Sequence, residues 1–404
     1  MSQETEPNAG SFTLATPLSA EPAGSTGTPA VPEHQEWPLP HGFAWVFPGD
    51  GNGGAVRRPV IMADGFNLGR SKLDVLYHGL ESGYGFISEL RRRGRDVILL
   101  GFEERSASIL DNAQAAQAAI MRAIAEQHGD ARLAVGGFSM GGIVTRYALA
   151  RMEADRIDHR TALYFSYDSP HRGATIPVGV QAFSHFIPFP NDFARQMNSP
   201  AAQQMLWQHY DGETGKTGVS PLRTEFLSAL DRAGGWPRIP RLIGVANGRG
   251  DGVGLPEVKP GEVALRIEQI YPGTTFYTQA QGDDVTAAFL NRRFPKAEKT
   301  VTTSGFPELD GAPGGTLHTY KILADTLEKL GGKADLRHED VCFVPSVSAV
   351  AVRALDQQAD LYTDIYELSP EESELDDFLC SSTTTAHTAI TEELCTWIMD
   401  RLPD

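Results

Sequence analysis

One serine of this chain stands inside a cluster of glycines. Ser139 is the centre of the segment Gly137-Phe138-Ser139-Met140-Gly141, which matches the pattern G-x-S-x-G. A strand that turns abruptly into a helix strains its middle residue, and this is tolerable only where side chains two positions away are absent. Such a turn exposes the hydroxyl and directs the N–H of Met140, at the start of a helix, towards a developing oxyanion. The predicted chemistry is nucleophilic attack by Ser139.

The segments around Ser139 alternate between strand and helix patterns. Strand patterns cover 96–102, 132–138 and 162–167, and helical patterns cover 109–128 and 140–153. This rhythm predicts an α/β fold with a mostly parallel sheet that crossover helices cover on both faces. The strand before Ser139 and the helix after it favour a nucleophile over a phosphate-binding loop, because the lysine of a P-loop is missing.

Three segments carry a resemblance to a known family. The runs PVIMADGFN, GGFSMGGIVTRYALARME and YDSPHRGA resemble the lipase and esterase branch of the α/β-hydrolase superfamily, over about residues 59–174. In that family a His-Gly loop precedes the G-x-S-x-G turn, called the nucleophile elbow, and here Asp64 stands at the position of that histidine. The resemblance implies the N–H of Phe66 as a second oxyanion donor beside that of Met140.

A serine nucleophile needs an imidazole to remove its proton and a carboxylate to hold that imidazole in the right tautomer. The family order along the chain is serine, acid, histidine, which leaves the histidines after Ser139. His387 lies on a small-residue loop before a predicted terminal helix, where the family has its base. A helix-capping loop histidine is the alternative reading. His171, in SPHRG, is interpreted as structural, because similar lipases keep a histidine there for loop architecture.

Three carboxylates compete for the role of the acid. Asp340 precedes VCFVPSVSA, which resembles the V-P-x-x-S-A tract that follows the acid in many lipases, although the spacing is one residue longer. Asp376 precedes His387 on what reads as the same loop, and Asp251, in NGRGDG, follows a buried strand. Each is open to the alternative reading of a solvated or turn-forming aspartate. We expect Asp340 first, then Asp376 and Asp251.

The amino-acid composition excludes some classes of binding partner. The 52 acidic and 35 basic residues give a formal charge of −17, so nucleic acid is not expected as a partner. The three cysteines form no C-x-x-C pair, and neither a metal nor a cofactor is predicted. The chain shows neither a run of eighteen apolar residues nor a signal-like N-terminus, so we expect no transmembrane segment and a cytoplasmic location.

The chain divides into an arm and one large domain. Residues 1–40 are rich in Pro, Glu, Ser, Thr, Gly and Ala, which predicts a disordered arm. Residues 41–404 are predicted to form the α/β-hydrolase catalytic domain. Within it, the apolar region 174–235 reads as a lid-like insertion or a packed helical hairpin, and the alternating runs of 262–310 predict a small antiparallel excursion.

These expectations converge on acyl transfer. The predicted function is a serine hydrolase that cleaves a carboxylic ester through an acyl-enzyme, with an apolar acyl or alkyl group if 174–235 is a lid. A thioesterase or acyltransferase would use the same residues. A non-catalytic binding protein of the same fold stays open, because the acid is ambiguous and Asp64 departs from the family pattern.

Overall fold

The computed structural model describes Leu14 and residues 30–404. Residues 1–13 and 15–29, most of the predicted disordered arm, lie outside the described residues. Within the described part of that arm, Gln35–Leu39 forms a strand that pairs antiparallel with Gly42–Phe47. Trp37 in this strand is buried in the main core. Regular structure therefore begins before residue 41, because one large aromatic side chain fixes the strand.

The central sheet has eight strands. Their spatial order across the sheet is Gln35–Leu39, Gly42–Phe47, Asp96–Phe102, Pro59–Ala63, Leu133–Phe138, Thr161–Tyr167, Arg241–Ala246 and Asp377–Cys380. Both pairings of Gly42–Phe47 are antiparallel and the other five are parallel. The predicted mostly parallel sheet is confirmed.

Both faces of this sheet are buried against helices. In Pro59–Ala63, Val60 and Met62 belong to one core cluster and Ile61 and Ala63 to another, as the two-residue repeat of a strand requires. One face carries the helices Ile109–Glu126, Met140–Ala154 and Pro221–Arg232, and the other carries Leu73–Glu81, Phe86–Arg92 and Glu392–Met399. The predicted coverage by helices on both faces is confirmed.

A separate antiparallel sheet lies outside the central one. Its spatial order is Ala297–Thr303, Val285–Arg292, Thr275–Tyr277, Val263–Ile267 and Ala334–Leu336. The Phe183 ring packs edge-on against Tyr271 and Phe276, with ring centroids 5.0 Å and 5.6 Å away. The predicted antiparallel excursion is confirmed, and a helix of the 174–235 region forms part of its core.

The 174–235 region is mainly helical. Its helices are Val178–Phe186, Asp192–Met197, Pro200–Met205 and Pro221–Arg232, with the two-stranded ribbon His209–Tyr210 and Thr217–Gly218. The remaining elements are the ribbon Gly314–Leu317 and Val341–Pro345, the helices Thr319–Lys329, Ser346–Ala349 and Gln358–Leu361, and the 3-10 turns Ile365–Glu367 and Pro370–Glu372. Within the described residues, the helices are too short or too polar to cross a bilayer.

Candidate active site

Ser139 occupies a tight turn between strand Leu133–Phe138 and helix Met140–Ala154. Its backbone has φ 52° and ψ −122°, a strained conformation for a residue with a side chain. A Cβ atom added to Gly137 would lie 2.4 Å from the Gly141 carbonyl carbon, and one added to Gly141 would lie 2.3 Å from the Ala63 carbonyl oxygen. Only glycine fits at these two positions, so the cluster of glycines makes room for the turn.

His387 contacts both Ser139 and an aspartate. Its Nε2 lies 2.7 Å from Ser139 Oγ, and its Nδ1 lies 2.6 Å from Asp168 Oδ2. All three side chains are buried. Asp168 directly follows strand Thr161–Tyr167, which neighbours the strand that leads into Ser139. The carboxyl ends of adjacent parallel strands meet at one edge of a sheet, and this edge brings Ser139 and Asp168 together.

Asp340, the acid expected from the sequence, does not contact His387. Its carboxylate contacts His318 Nδ1 instead, with both side chains partly exposed. Strand Val341–Pro345, which follows it, pairs with Gly314–Leu317 and not with the central sheet. Asp340 therefore precedes a strand of a two-stranded ribbon outside the central sheet, and Asp168 takes the position beside the imidazole.

The two other candidate acids also form hydrogen bonds with groups other than His387. Asp376 Oδ2 accepts the backbone N–H of Leu242 at 2.7 Å, at the start of a sheet strand and not at its carboxyl end. Asp251 forms an ion pair with Arg249, whose Nε lies 3.0 Å from Asp251 Oδ2. Asp168 was missed although it lies in YDSPHRGA, a run quoted for the resemblance. The available signal was its place directly after the strand next to the elbow.

Asn247 ties the aspartate to the histidine loop. Its backbone N–H donates to Asp168 Oδ1 at 3.0 Å. Its side chain accepts the N–H of Thr388 at 2.9 Å and donates to Thr385 Oγ1 at 2.8 Å and to the Ala389 carbonyl at 2.9 Å. Asn247 is buried at the carboxyl end of a central strand. It holds the loop of His387 and the carboxylate of Asp168 in one hydrogen-bonded unit.

Asp64 organises the loop that faces Ser139. Its Oδ1 accepts the N–H of Gly65 at 2.7 Å, and its Oδ2 accepts the hydroxyl of Ser71 at 2.6 Å. Burial raises the pKa of this carboxyl, an effect that nearby Arg105 opposes. A Cβ on Gly65 would lie 3.5 Å from Ser139 Cβ, so the loop passes directly beside the nucleophile. The Gly65 N–H is thus bonded to Asp64, and the donor that the sequence predicts on this loop is the next N–H, that of Phe66.

Met140, the other expected oxyanion donor, directly follows Ser139. Met140 is the first residue of its helix, so its N–H has no carbonyl partner within that helix. The loop residue Phe66 and Ser139 line one common cleft. The two N–H groups expected to bind an oxyanion therefore lie on the two segments that flank the serine.

An apolar cleft opens beside Ser139. It is lined by aliphatic and aromatic side chains with one buried amide, and its residues are Leu14, Phe66, Ala174, Ile176, Gln196, Met197, Ala202, Met205, Leu206, Leu317 and Phe343. Seven of these come from the 174–206 part of the predicted lid-like region. Phe343 also packs on His387, with ring centroids 4.8 Å apart. The cleft presents mainly apolar surface beside the serine, which is only 5% exposed.

His171 lies in another part of the fold. Its Nε2 lies 3.0 Å from Ser166 Oγ, and its ring packs against Trp236 at 4.8 Å between centroids. Burial, with the nearby Arg146 and Arg172, lowers the pKa of this imidazole well below its ordinary value. A buried, neutral histidine of this kind braces the loop that follows Asp168. Among the described residues there is also no group of three or more His, Cys, Asp or Glu side chains suited to hold a metal.

Comparison with known proteins gives matches at the level of structure. No protein-family model matches the chain, and no curated protein matches it. A puromycin-hydrolysing peptidase of Mycobacterium tuberculosis is similar over 52% of this chain and 30% of its own, with 19% identity and a TM-score of 0.32. The chain thus spans less than a third of that peptidase.

Two further solved structures are similar over about half of this chain. A mature lipase of Bacillus licheniformis matches 52% of this chain and 73% of its own, with 13% identity and a TM-score of 0.31. A thermostable carboxylesterase cloned from a metagenomic library matches 53% of this chain and 79% of its own, with 13% identity and a TM-score of 0.32. These likenesses concern part of the fold.

The mostly parallel sheet, the helices on both faces and the elbow at a strand's carboxyl end agree with the architecture that the sequence motifs predict. The fold is that of an α/β-hydrolase. The elbow strand lies fifth of eight in the sheet, with Asp168 at the end of the sixth. His387, the third residue of the hydrogen-bonded group with Ser139 and Asp168, comes from the loop before the terminal helix Glu392–Met399.

Proposed function

We propose that this protein is a serine hydrolase that cleaves a carboxylic ester through an acyl-enzyme intermediate. Ser139 is the nucleophile, His387 the general base and acid, and Asp168 the residue that orients the imidazole. The backbone N–H groups of Phe66 and Met140 are the oxyanion donors. Asp168 replaces Asp340 in this assignment.

One observation carries the proposal. The imidazole of His387 bridges Ser139 Oγ at 2.7 Å and Asp168 Oδ2 at 2.6 Å, with all three side chains buried beside an apolar cleft. When Nδ1 donates its proton to Asp168, Nε2 carries a free lone pair that faces the serine hydroxyl. This is the hydrogen-bond chain that activates a serine.

The geometry supports a two-step reaction. In the first step Ser139 Oγ forms a bond to the ester carbonyl carbon, and its proton passes to His387 Nε2. The oxygen of the tetrahedral intermediate accepts the N–H groups of Phe66 and Met140. The bond to the leaving oxygen then breaks, and His387 returns the proton to the departing alcohol. In the second step water attacks the acyl-enzyme by the same route and releases the acid and free Ser139.

The cleft indicates the substrate class. Its lining offers aliphatic and aromatic surface next to Ser139 and only a small polar share, so an apolar acyl or alkyl group is the natural occupant. Charged esters would lose their hydration on entering and gain no buried countercharge. The proposed substrate is therefore an uncharged ester with an apolar chain.

Active-site labelling with a fluorophosphonate probe tests the nucleophile. The parent protein is expected to be labelled, and Ser139→Ala and His387→Ala are expected to lose labelling and ester turnover. Ser184→Ala is a matched control, because Ser184 is also buried but donates to the Gln181 carbonyl at 2.7 Å and lies outside the cleft. Labelling that survives Ser139→Ala would contradict the assignment.

A panel of p-nitrophenyl esters of increasing chain length tests the substrate class. We expect kcat/KM to rise with acyl length until the cleft is full, and then to fall. Faster turnover of thioesters, or acyl transfer to added alcohols or amines, would move the assignment to a thioesterase or acyltransferase. A parent protein that neither labels nor turns over any ester would favour a non-catalytic binding protein.

A further inference from the structure

A residue of the N-terminal arm lies in the cleft beside the nucleophile. Leu14 is buried, and it lines the cleft together with Ser139, Phe66 and Met197. It also belongs to the core cluster that joins the 174–235 helices to the separate antiparallel sheet. The side chain of Leu14 therefore forms part of the wall of the apolar space beside Ser139.

The backbone of Leu14 is held by one buried amide side chain. The Leu14 N–H donates to Gln196 Oε1 at 2.8 Å, and Gln196 Nε2 donates to the Leu14 carbonyl at 2.7 Å. Gln196 is fully buried. A glutamine amide in an apolar cleft is costly unless both of its ends are paired, and Leu14 pairs both. The Gln196 amide thus bonds to both the N–H and the C=O of one residue, as the backbone of a neighbouring β-strand would.

We propose that the cleft is a peptide-binding subsite, read by Gln196, and that Leu14 is its built-in ligand. The ligand chemistry is a branched aliphatic side chain whose own backbone N–H and C=O face Gln196. Because Leu14 and an acyl chain need the same space beside Ser139, the arm is an intramolecular competitive inhibitor. This last consequence rests on the proposed esterase function, whereas the peptide subsite does not.

Tethering explains how one leucine can compete. A ligand on the same chain acts at an effective concentration on the order of millimolar, so a weak contact is enough to fill the site. Substrate must then displace Leu14. The apparent affinity for substrate equals the intrinsic affinity multiplied by the fraction of molecules whose cleft is open. The effect appears in KM and not in kcat, since bound substrate meets an unchanged Ser139.

Steady-state kinetics on the full-length chain test the competition. Leu14→Gly keeps the backbone groups and removes the side chain, and we expect it to lower KM for an apolar p-nitrophenyl ester about tenfold with kcat unchanged. Leu18→Gly is the control, because it makes the same change at the other leucine of residues 1–29. An unchanged KM in Leu14→Gly, or an equal decrease in Leu18→Gly, would overturn the inhibition.

Direct binding tests the subsite without catalysis. The probe is an acetylated and amidated peptide with the sequence of residues 11–16, SFTLAT, titrated by calorimetry. It is expected to bind Leu14→Gly, to bind the parent at least several-fold more weakly because Leu14 fills the cleft, and to lose affinity for Leu14→Gly/Gln196→Met. Gln203→Met is the control for Gln196, since Gln203 donates to Asn198 at 2.8 Å outside the cleft.

The two proposals fail separately. Peptide binding to Leu14→Gly, with Ser139 intact and no turnover of any ester by this variant or by the parent, would leave the subsite standing and remove the esterase function. Ester turnover with no peptide binding to Leu14→Gly would leave the esterase function standing and overturn the subsite. Equal binding of the peptide to the parent and to Leu14→Gly would also overturn the role of Leu14 as its occupant.

Discussion

Hydrogen bonds at both oxygens of Asp168 fix the orientation of its carboxylate. Oδ2 faces His387 Nδ1 at 2.6 Å, and Oδ1 accepts the N–H of Asn247 at 3.0 Å. Asp168 has a positive φ of 48°, like Ser139 with 52°. Two residues of the site thus sit in strained backbone at neighbouring strand ends, and the surrounding hydrogen bonds hold them there.

This orientation makes a prediction for Asp168→Asn. The amide oxygen is expected to keep the bond from Asn247, which turns the NH₂ group towards His387 and forces Nδ1 to act as an acceptor. The proton then sits on Nε2, which can no longer accept the proton of Ser139. We expect kcat for a p-nitrophenyl ester to fall by about a thousandfold or more, with the fold intact by circular dichroism.

Asp340→Asn is the matched control for this change. It removes the same charge from the carboxylate that the sequence alone favours, but its partner is His318 at the surface. We expect activity within about twofold of the parent, because surface ion pairs contribute little. A large loss in Asp340→Asn with little change in Asp168→Asn would reverse the assignment of the acid.

At the level of elements, close packing at the elbow determines which residues it tolerates. The glycines of LAVGGFSMGGI differ in their neighbours: Gly137 meets the Gly141 backbone across the turn and Gly141 meets the Ala63 carbonyl oxygen, whereas Gly136 meets the Phe165 carbonyl oxygen and Gly142 meets Ser169. The first pair allows the strand to turn into the helix. Gly136 lets strand Thr161–Tyr167 approach the elbow strand closely, and Gly142 lets the loop after Thr161–Tyr167 approach the start of the helix.

Gly137→Ala tests the tightness of this turn. The added Cβ would lie 2.4 Å from the Gly141 carbonyl carbon and 2.7 Å from its oxygen, so backbone must shift. We expect unfolding free energy to fall by about 2 kcal/mol or more in urea titrations, because overpacking against backbone cannot relax locally.

Gly218→Ala serves as the control for added volume. A Cβ there meets no atom within 4 Å, and the backbone of Gly218 is not in the left-handed region. Its stability is expected to stay within about 0.5 kcal/mol of the parent. Equal stability of Gly137→Ala and Gly218→Ala would mean that the elbow is not close-packed in solution.

At the level of the whole molecule, one buried carboxyl couples stability to pH. Asp310 lies between the separate sheet and strand Val341–Pro345: its Oδ2 accepts the Gln279 N–H at 3.1 Å, and its carbonyl accepts the Cys342 N–H at 2.9 Å. Tyr320 Oη lies 3.5 Å from the same Oδ2. Burial raises the pKa of Asp310 to about 7.

The sign of the resulting pH dependence follows from proton uptake. Between about pH 4 and pH 7 the folded state holds a proton on Asp310 that the unfolded state has released, so stability falls as pH rises, by roughly 1 kcal/mol per pH unit. Asp310→Asn removes this proton. We expect the stability of Asp310→Asn relative to the parent to increase from pH 4 to pH 7 and then level off, measured by urea unfolding.

Asp325, which is partly exposed, provides the control for this measurement. Asp325→Asn removes the same charge from a helix surface, where the carboxylate pairs with Lys321 at 3.4 Å. A difference between Asp310→Asn and the parent that stays constant across this pH range, or one that Asp325→Asn reproduces, would show that the Asp310 carboxyl does not titrate there.

Local patterns were enough to predict the α/β class and the turn around Ser139, because strand and helix periodicity and the need for glycine act over a few residues. The sequence also placed His387 on a loop before a terminal helix, by resemblance to a family. The spacing of apolar residues likewise predicted the helices on both faces of the sheet and the separate antiparallel sheet. These features depend on neighbours along the chain.

The acid and the contents of the cleft depend on neighbours in space. Asp168 and His387 are 219 residues apart, and Ser139 and His387 are 248 apart, so no spacing rule joins them. Asp340 had the more suggestive local sequence, but the strand after it joins a two-stranded ribbon outside the central sheet. Leu14 comes from an arm predicted to be disordered and reaches Gln196 across 182 residues. The sequence determined which residues can do the chemistry, and the order of strands in the sheet decided which carboxylate stands beside the imidazole.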